Sequence, residues 1–173
     1  MKVDGGVGWD LDKVGAEAKA LEDMGYSGIM TAETSHDPFF PLVVAAMNTQ
    51  RIELMTSIAV AFARTPMILA NIGHDLNAVS KGRFVLGIGS QIRPHIAKRF
   101  SMPWSAPAAR MREFILAMRA IWATWHEGKP LEFAGRFYTH TLMTPFFTPT
   151  NNEYGPPRVF LAAVGPLMTE VAG

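Results

Sequence analysis

Five strand-like runs, at residues 2–8, 27–31, 52–62, 83–88 and 158–164, each end in a cluster of small or polar residues. Four of the intervals that follow them can hold a crossover helix. That recurrence predicts a parallel α/β fold, because parallel neighbours must be joined by a long return connection. In such folds chemistry gathers just beyond the carboxyl ends of the strands, so the residues that follow each run are the first to consider.

The intervals support the reading. After the first run, Asp10 is placed to cap a helix whose apolar positions Leu11, Val14, Ala18, Leu21 and Met24 follow helical spacing, and Gly25 suits its exit. The second run leads into Glu33, Thr34, Ser35, His36, Asp37 and Pro38, where Asp37 and Pro38 predict a cap and first turn of a helix reaching about Asn48. Arg64, Thr65 and Pro66 stop the third run before a helix from about Met67 to Val79. The clearest helix follows a long irregular segment. In it Met111, Phe114, Ile115, Met118, Ile121, Trp122 and Trp125 share one face, closed by Gly128 and Pro130, which predicts a core-facing helix. Residues 131–157 form an insertion: a hairpin-like pattern around Gly135, then a stretch at 148–157 so rich in turn formers that it reads as loop. Past the last run, Gly165 and Pro166 open a short helix. A (β/α)8 TIM barrel needs roughly 250 residues. The expectation is therefore a single domain over 1–173 that supplies the first four to five βα units of one, with the rest continuing in a longer chain or coming from elsewhere.

Composition narrows the partners. Apolar residues make up 49% of the 173 and charged ones 18%, enough for a substantial core and contrary to disorder. Sixteen basic residues against fifteen acidic ones give a formal charge of +1, no field for nucleic acid or an acidic membrane surface. The absence of cysteine excludes disulfides, thiolate nucleophiles and zinc–thiolate sites. The opening MKVDGGVGWD lacks the pattern of a secretory signal, and no run approaches ~18 uninterrupted apolar residues. A soluble protein in the cytoplasm, acting on a small molecule, is expected.

The glycines at 87 and 89 sit at a strand end without the third glycine and capped helix of a dinucleotide loop. Two roles stay open for them: a tight turn needing positive φ, or close approach of backbone to a flat ligand or phosphate. The histidines at 36, 74, 95, 126 and 140 lack the spacing of a metal-binding pair on one helix, so no metal is expected. His36, beyond the second strand, can act as general acid or base, or be a loop histidine bonded to nearby backbone. His74 and His126 read as surface or capping residues. Arg93, Lys98 and Arg99 either draw an anionic ligand tail to the rim or are solvated loop charges.

Taken in order, KVDGGVG, TAETSHDPFFPL, RIELMTSIAVAFARTP, SKGRFVLGIGSQ with HIAKRF and MPWS, and RVFLAAVGP resemble the luciferase-like monooxygenase superfamily, and within it the deazaflavin-dependent oxidoreductases that use coenzyme F420. The likeness runs along essentially the whole chain. It implies a (β/α)8 barrel with an insertion after the fourth strand region, and a flavin or deazaflavin ring at the strands' carboxyl ends. Ser57 and Ile58 would form a non-proline cis peptide that bulges behind the ring. Gly89, Ser90 and Gln91 would line the ring edge, and Ala163, Val164 and Gly165 would offer backbone groups to the cofactor. His36 matches a histidine near the reactive carbon, although Ser35 stands where relatives often carry an acid. The implied activity is hydride transfer between F420 and a small organic substrate. Alternatives are an FMN-dependent monooxygenase, or a catalytically silent half-barrel serving as an assembly module. Exposed sheet edges would make the chain depend on a missing C-terminal half or on homo-oligomerisation.

Overall fold

The computed structural model describes residues 1–150 and 153–173; of the loop expected at 148–157, Asn151 and Asn152 lie outside the described residues. In chain order the strands are β1 (Asp4–Gly6), β2 (Gly28–Thr31), β3 (Glu53–Thr56), β4 (Ala59–Val60), β5 (Phe84–Gly89), β6 (Phe133–Ala134), β7 (Thr139–His140) and β8 (Arg158–Leu161). The α-helices are α1 (Leu11–Asp23), α2 (Phe39–Asn48), α3 (Pro66–Val79), α4 (Pro107–Glu127) and α5 (Pro166–Ala172). The main sheet runs β1-β2-β3-β5, with β4 continuing the β3 side of β5 and β8 on its other side, and every pairing is parallel. Successive helices pack in order, α1 on α2, α2 on α3, α3 on α4 and α4 on α5. The parallel α/β prediction holds.

Strand alternation sorts the sheet's two faces. Ile29, Leu54, Phe84, Leu86, Ile88, Val159 and Leu161 join the helices in one core. Met30, Met55, Val85 and Phe160 fall outside that core and belong to the opposite face. The helix rich in aromatics behaves as its spacing predicts: Met111, Phe114, Ile115, Met118, Ile121, Trp122 and Trp125 are all buried. At the base of the sheet Glu53 receives Lys2 at 3.3 Å and Arg158 at 2.8 Å, so one carboxylate on a central strand ties in the segments at both edges. Nearby, Glu22 accepts backbone N–H bonds from Gln50, Arg51 and Ile52. Burial opposes its ionisation, but those bonds outweigh it and hold the carboxyl below the usual range.

Several expectations need correction. The third run is not one strand over 52–62: it breaks at Ser57 and Ile58 into β3 and β4, then tightens into a 3₁₀ turn at Ala61–Ala63. The first and last runs pair over shorter spans than 2–8 and 158–164. Asp10 precedes α1 but makes no side-chain cap bond, because its carboxylate is taken by Lys13 at 2.6 Å. His74 is not a surface residue. It is 4% exposed, set edge-on to Trp125 and 5.5 Å from the His126 ring, because α4 lies over this face of α3.

Within the insertion, β6 and β7 form the expected antiparallel hairpin. Its turn is pinned by Glu113 of α4, whose carboxylate accepts the N–H groups of Arg136, Phe137 and Tyr138 at 2.6–3.0 Å. Arg110 adds a 2.8 Å bond from Nε to the Tyr138 hydroxyl.

Candidate active site

The carboxyl ends of β1, β2, β3, β5 and β8 bring together most of the residues singled out in the sequence. The break in the third run is the centre of the arrangement. The Ser57–Ile58 peptide is cis, as the resemblance implies. Ser57 N–H donates to Thr31 O at 2.6 Å, and Ile58 O accepts from Glu33 N–H at 3.1 Å, so both ends of the bulge are held by the segment leaving β2. Ser57 itself is exposed and Ile58 half-buried.

The two glycines of β5 answer the question their sequence left open. Neither has positive φ; close approach is what requires them. A Cβ on Gly87 would lie 1.8 Å from Thr56 O, against the backbone entering the bulge. A Cβ on Gly89 would lie 3.1 Å from Ile58 Cδ1 and 3.4 Å from Ala162 Cβ, closer to Ile58 than ordinary van der Waals contact. Thr56 Oγ1 donates to Gly87 O at 2.7 Å and locks the two strands together at this point. The left-handed residue is instead Gln91, at φ 59°, whose side-chain oxygen accepts from the N–H of Ile92. Ser90 is half-buried, its hydroxyl bonded to Gln91 O.

His36 lies in the loop between β2 and α2, exposed, with its ring 5.4 Å from that of Trp9 and tilted by 33°. Trp9 follows β1, so the pair spans two adjacent strand ends. The loop around His36 is fixed by two arginines that sequence reading did not select for this role. Arg64, just past the 3₁₀ turn, reaches Glu33 at 2.6 Å and Asp37 at 2.9 Å. Glu33 also accepts Val60 N–H at 2.7 Å, which joins the His36 loop to β4. Arg99 donates to Thr34 O at 2.5 Å from the far side. The signal for Arg64 was its position directly before the Thr65–Pro66 helix start, where Thr65 caps α3 through Ile68 N–H; Arg99 stood out only as a basic residue after the fourth run, and nothing local marks Trp9.

Of the three residues expected after the last strand, Ala163 packs towards the core, whereas Val164 is 93% exposed and Gly165, at φ 84°, turns the chain into α5. Val164 and Gly165 border an apolar depression of about 430 Å³ shared with Pro107 and Leu167. A larger cleft of about 510 Å³ lies on the helix side, among α4, β8 and α5, away from the strand ends. No group of His, Asp and Glu among the described residues has the makings of a metal centre. No helix among them is long and apolar enough to cross a membrane.

With this geometry in place, the comparison with known proteins is decisive at the level of the family. A family model described as luciferase-like monooxygenase matches residues 2–173. The chain belongs to the luciferase-like monooxygenase family. Within it, the chain is 59% identical to the uncharacterized protein Rv1360 of Mycobacterium tuberculosis over 173 residues, which is all of this chain and 51% of that protein. It is 27% identical to the F420-dependent glucose-6-phosphate dehydrogenase of Intrasporangium calvum, covering 88% of this chain and 48% of that one. The luciferase-like chain thus spans about half the length of the curated relatives it matches. Among solved structures, the EDTA monooxygenase of Chelativorans sp. BNC1 superposes with a TM-score of 0.84 at 16% identity, over 99% of this chain and 51% of that one. The oxygenating constituent of 3,6-diketocamphane monooxygenase from Pseudomonas putida, in complex with FMN, gives 0.75 at 16% identity, over 93% and 51%. These likenesses identify the fold: the sheet and helices are part of the TIM-barrel wall of luciferase-like enzymes.

Proposed function

We propose that this luciferase-like chain is the N-terminal half of a TIM-barrel oxidoreductase. In this reading it transfers hydride between coenzyme F420 and a small organic substrate. The observation that carries the reading is the cis Ser57–Ile58 bulge, packed against Gly89 of β5, with His36 in the loop that follows the neighbouring strand β2. With no side chain of its own, Gly89 lets β5 lie close against the bulge: an added Cβ would stand 3.1 Å from Ile58 Cδ1. The 27% identity to an F420-dependent dehydrogenase supports F420 over FMN.

In this proposal Ser57, Ile58, Gly89, Ser90 and Gln91 hold the cofactor ring, and Ala163, Val164 and Gly165 offer backbone groups beside it. When bound, the deazaflavin supplies a carbon that accepts or gives up hydride. His36 carries the matching proton at Nε2, the ring nitrogen farthest from its backbone, as general base for substrate oxidation or general acid for reduction. Trp9 orients the imidazole, and Arg64 and Arg99 hold the loop that presents it. The Ser35 hydroxyl cannot serve as a carboxylate partner for that proton, so His36 acts without the acid that relatives often place there.

Titrating the protein with F420 and with FMN, followed by cofactor absorbance and fluorescence, tests the reading. Saturable F420 binding that survives His36→Asn is expected. Hydride transfer in the same variant should fall by about 10²-fold or more. Tight FMN uptake with no response to F420 would overturn the assignment and leave the FMN-dependent monooxygenase.

A further inference from the structure

Residues 76–112 contain seven of the chain's 16 lysines and arginines and none of its 15 aspartates and glutamates. The middle of that stretch is the connection from β5 to α4. There Arg93, His95, Lys98 and Arg99 follow within ten residues of Gly89, the last residue of β5. The segment is built rather than loose. Ile96 is fully buried beneath it, and Phe100 N–H donates to His95 O at 3.0 Å, the wide i→i+5 turn of a π-helix. Such turns recur at functional sites. Arg99 is engaged with Thr34 O and lies 4.8 Å from the Phe100 ring centroid. Arg93 and Lys98, both exposed, have no ion-pair partner among the described residues. Glu33 and Asp37, in the loop that Arg99 contacts, are both paired with Arg64.

We infer that Arg93 and Lys98, at the start of this connection and within its π-helical turn, form a recognition site for an anionic group, phosphate or carboxylate, of the molecule bound at the strand ends. The inference deepens the proposed function and rests on it for the location of the ring. Cations left unpaired beside a groove raise the local concentration of anions and hold them by charge, with a strength that falls as salt rises. Arg99 is excluded from the pair because its guanidinium already serves the His36 loop. The anion can come from the phosphate and carboxylates of the cofactor tail or from the substrate, and the two sources separate experimentally.

The test compares F420 with the same deazaflavin ring lacking the phosphate-bearing tail, in wild type and in an Arg93→Gln/Lys98→Gln double variant. Binding is read by ligand fluorescence at low and high salt. If the cofactor tail is the anion, F420 binds wild type more tightly than the bare ring by about five- to tenfold at low salt. That preference disappears in the variant and at ~0.5 M salt, where the Debye length is only a few ångströms, while bare-ring affinity stays unchanged. If the substrate is the source, the two ligands bind alike, but inorganic phosphate perturbs the fluorescence of the bound bare ring in wild type and not in the variant. A ligand preference and a phosphate response that are both absent, or both indifferent to the double substitution, would overturn the inference. Failure of both ring ligands to bind would instead refute the proposed function. In that case inorganic phosphate monitored by amide NMR shifts around Arg93 and Lys98 decides the anion site by itself, shifts in wild type supporting it and none overturning it. Circular dichroism of the variant establishes that it is folded; both side chains are exposed.

Discussion

Arg64 sits 2.6 Å from Glu33 and 2.9 Å from Asp37, so one guanidinium closes the loop that carries His36 at both of its acidic ends. The Glu33 side chain is 6% exposed and that of Arg64 14%, which places the pair in partly desolvated surroundings. Removing one partner leaves the other charged and poorly hydrated, a loss of about 3 kcal/mol for buried pairs. Arg64→Ala is expected to lower stability by that order in urea unfolding, with Arg64→Lys recovering part of it. A loss under ~1 kcal/mol would contradict a buried role.

Gly87 is predicted to tolerate no side chain. Its missing Cβ would stand 1.8 Å from Thr56 O, a backbone atom, and Gly87 O is itself held by the Thr56 hydroxyl. Gly87→Ala should cost about 3 kcal/mol or prevent folding. Gly89→Ala, whose nearest neighbour is the flexible end of Ile58, should fold and show its effect on ring binding instead. Thermal unfolding of the two variants side by side checks the contrast.

Glu113 should control the hairpin. Its carboxylate is the acceptor for the N–H groups of Arg136, Phe137 and Tyr138. Glu113→Ala leaves them without it and is expected to raise amide exchange at those positions far more than in α4. The loss in stability should be about 2 kcal/mol. Unchanged protection there would mean that the Arg110–Tyr138 bond suffices.

Acid should weaken the fold before any carboxylate titrates. Burial holds the imidazoles of His126 and His140 below the ordinary histidine value of 6.5; for His126 the nearby His74 adds to this and Glu127 opposes it. The folded state therefore favours the neutral forms. Their contribution is complete above 6.5, the unfolded value, and is lost as the pH falls through 6.5 towards the lower folded values. Glu53, lowered chiefly by its bond to Arg158, loses its contribution only below 4.5. Denaturant midpoints should thus decline between pH 7 and 5, and His126→Gln should flatten part of that slope. A flat profile would show that these buried nitrogens are solvated.

What the sequence disclosed followed from periodicity. The stripe from Met111 to Trp125, the strand cores and the turn at Gly135 are local patterns, and each lies where its spacing predicts. The features it concealed are made by contacts between distant segments. Nothing within residues 52–62 announces a break; the bulge is held by Thr31, Glu33 and Gly87, about thirty positions away on either side. His74 looks like a surface residue until α4 is folded over it, and Asp10 looks like a cap until Lys13 competes for its carboxylate. At the site, His36, Ser57, Ile58 and Gly89 were visible through family likeness. The contacts of Trp9, Arg64 and Arg99 with the His36 loop were not, because their partners lie on other strand ends.

The bond from Arg99 to Thr34 O joins the basic turn to a loop whose next but one residue is His36. Under the proposed function, a ligand that docks on the β5–α4 connection is thereby linked through this one bond to the loop that carries His36.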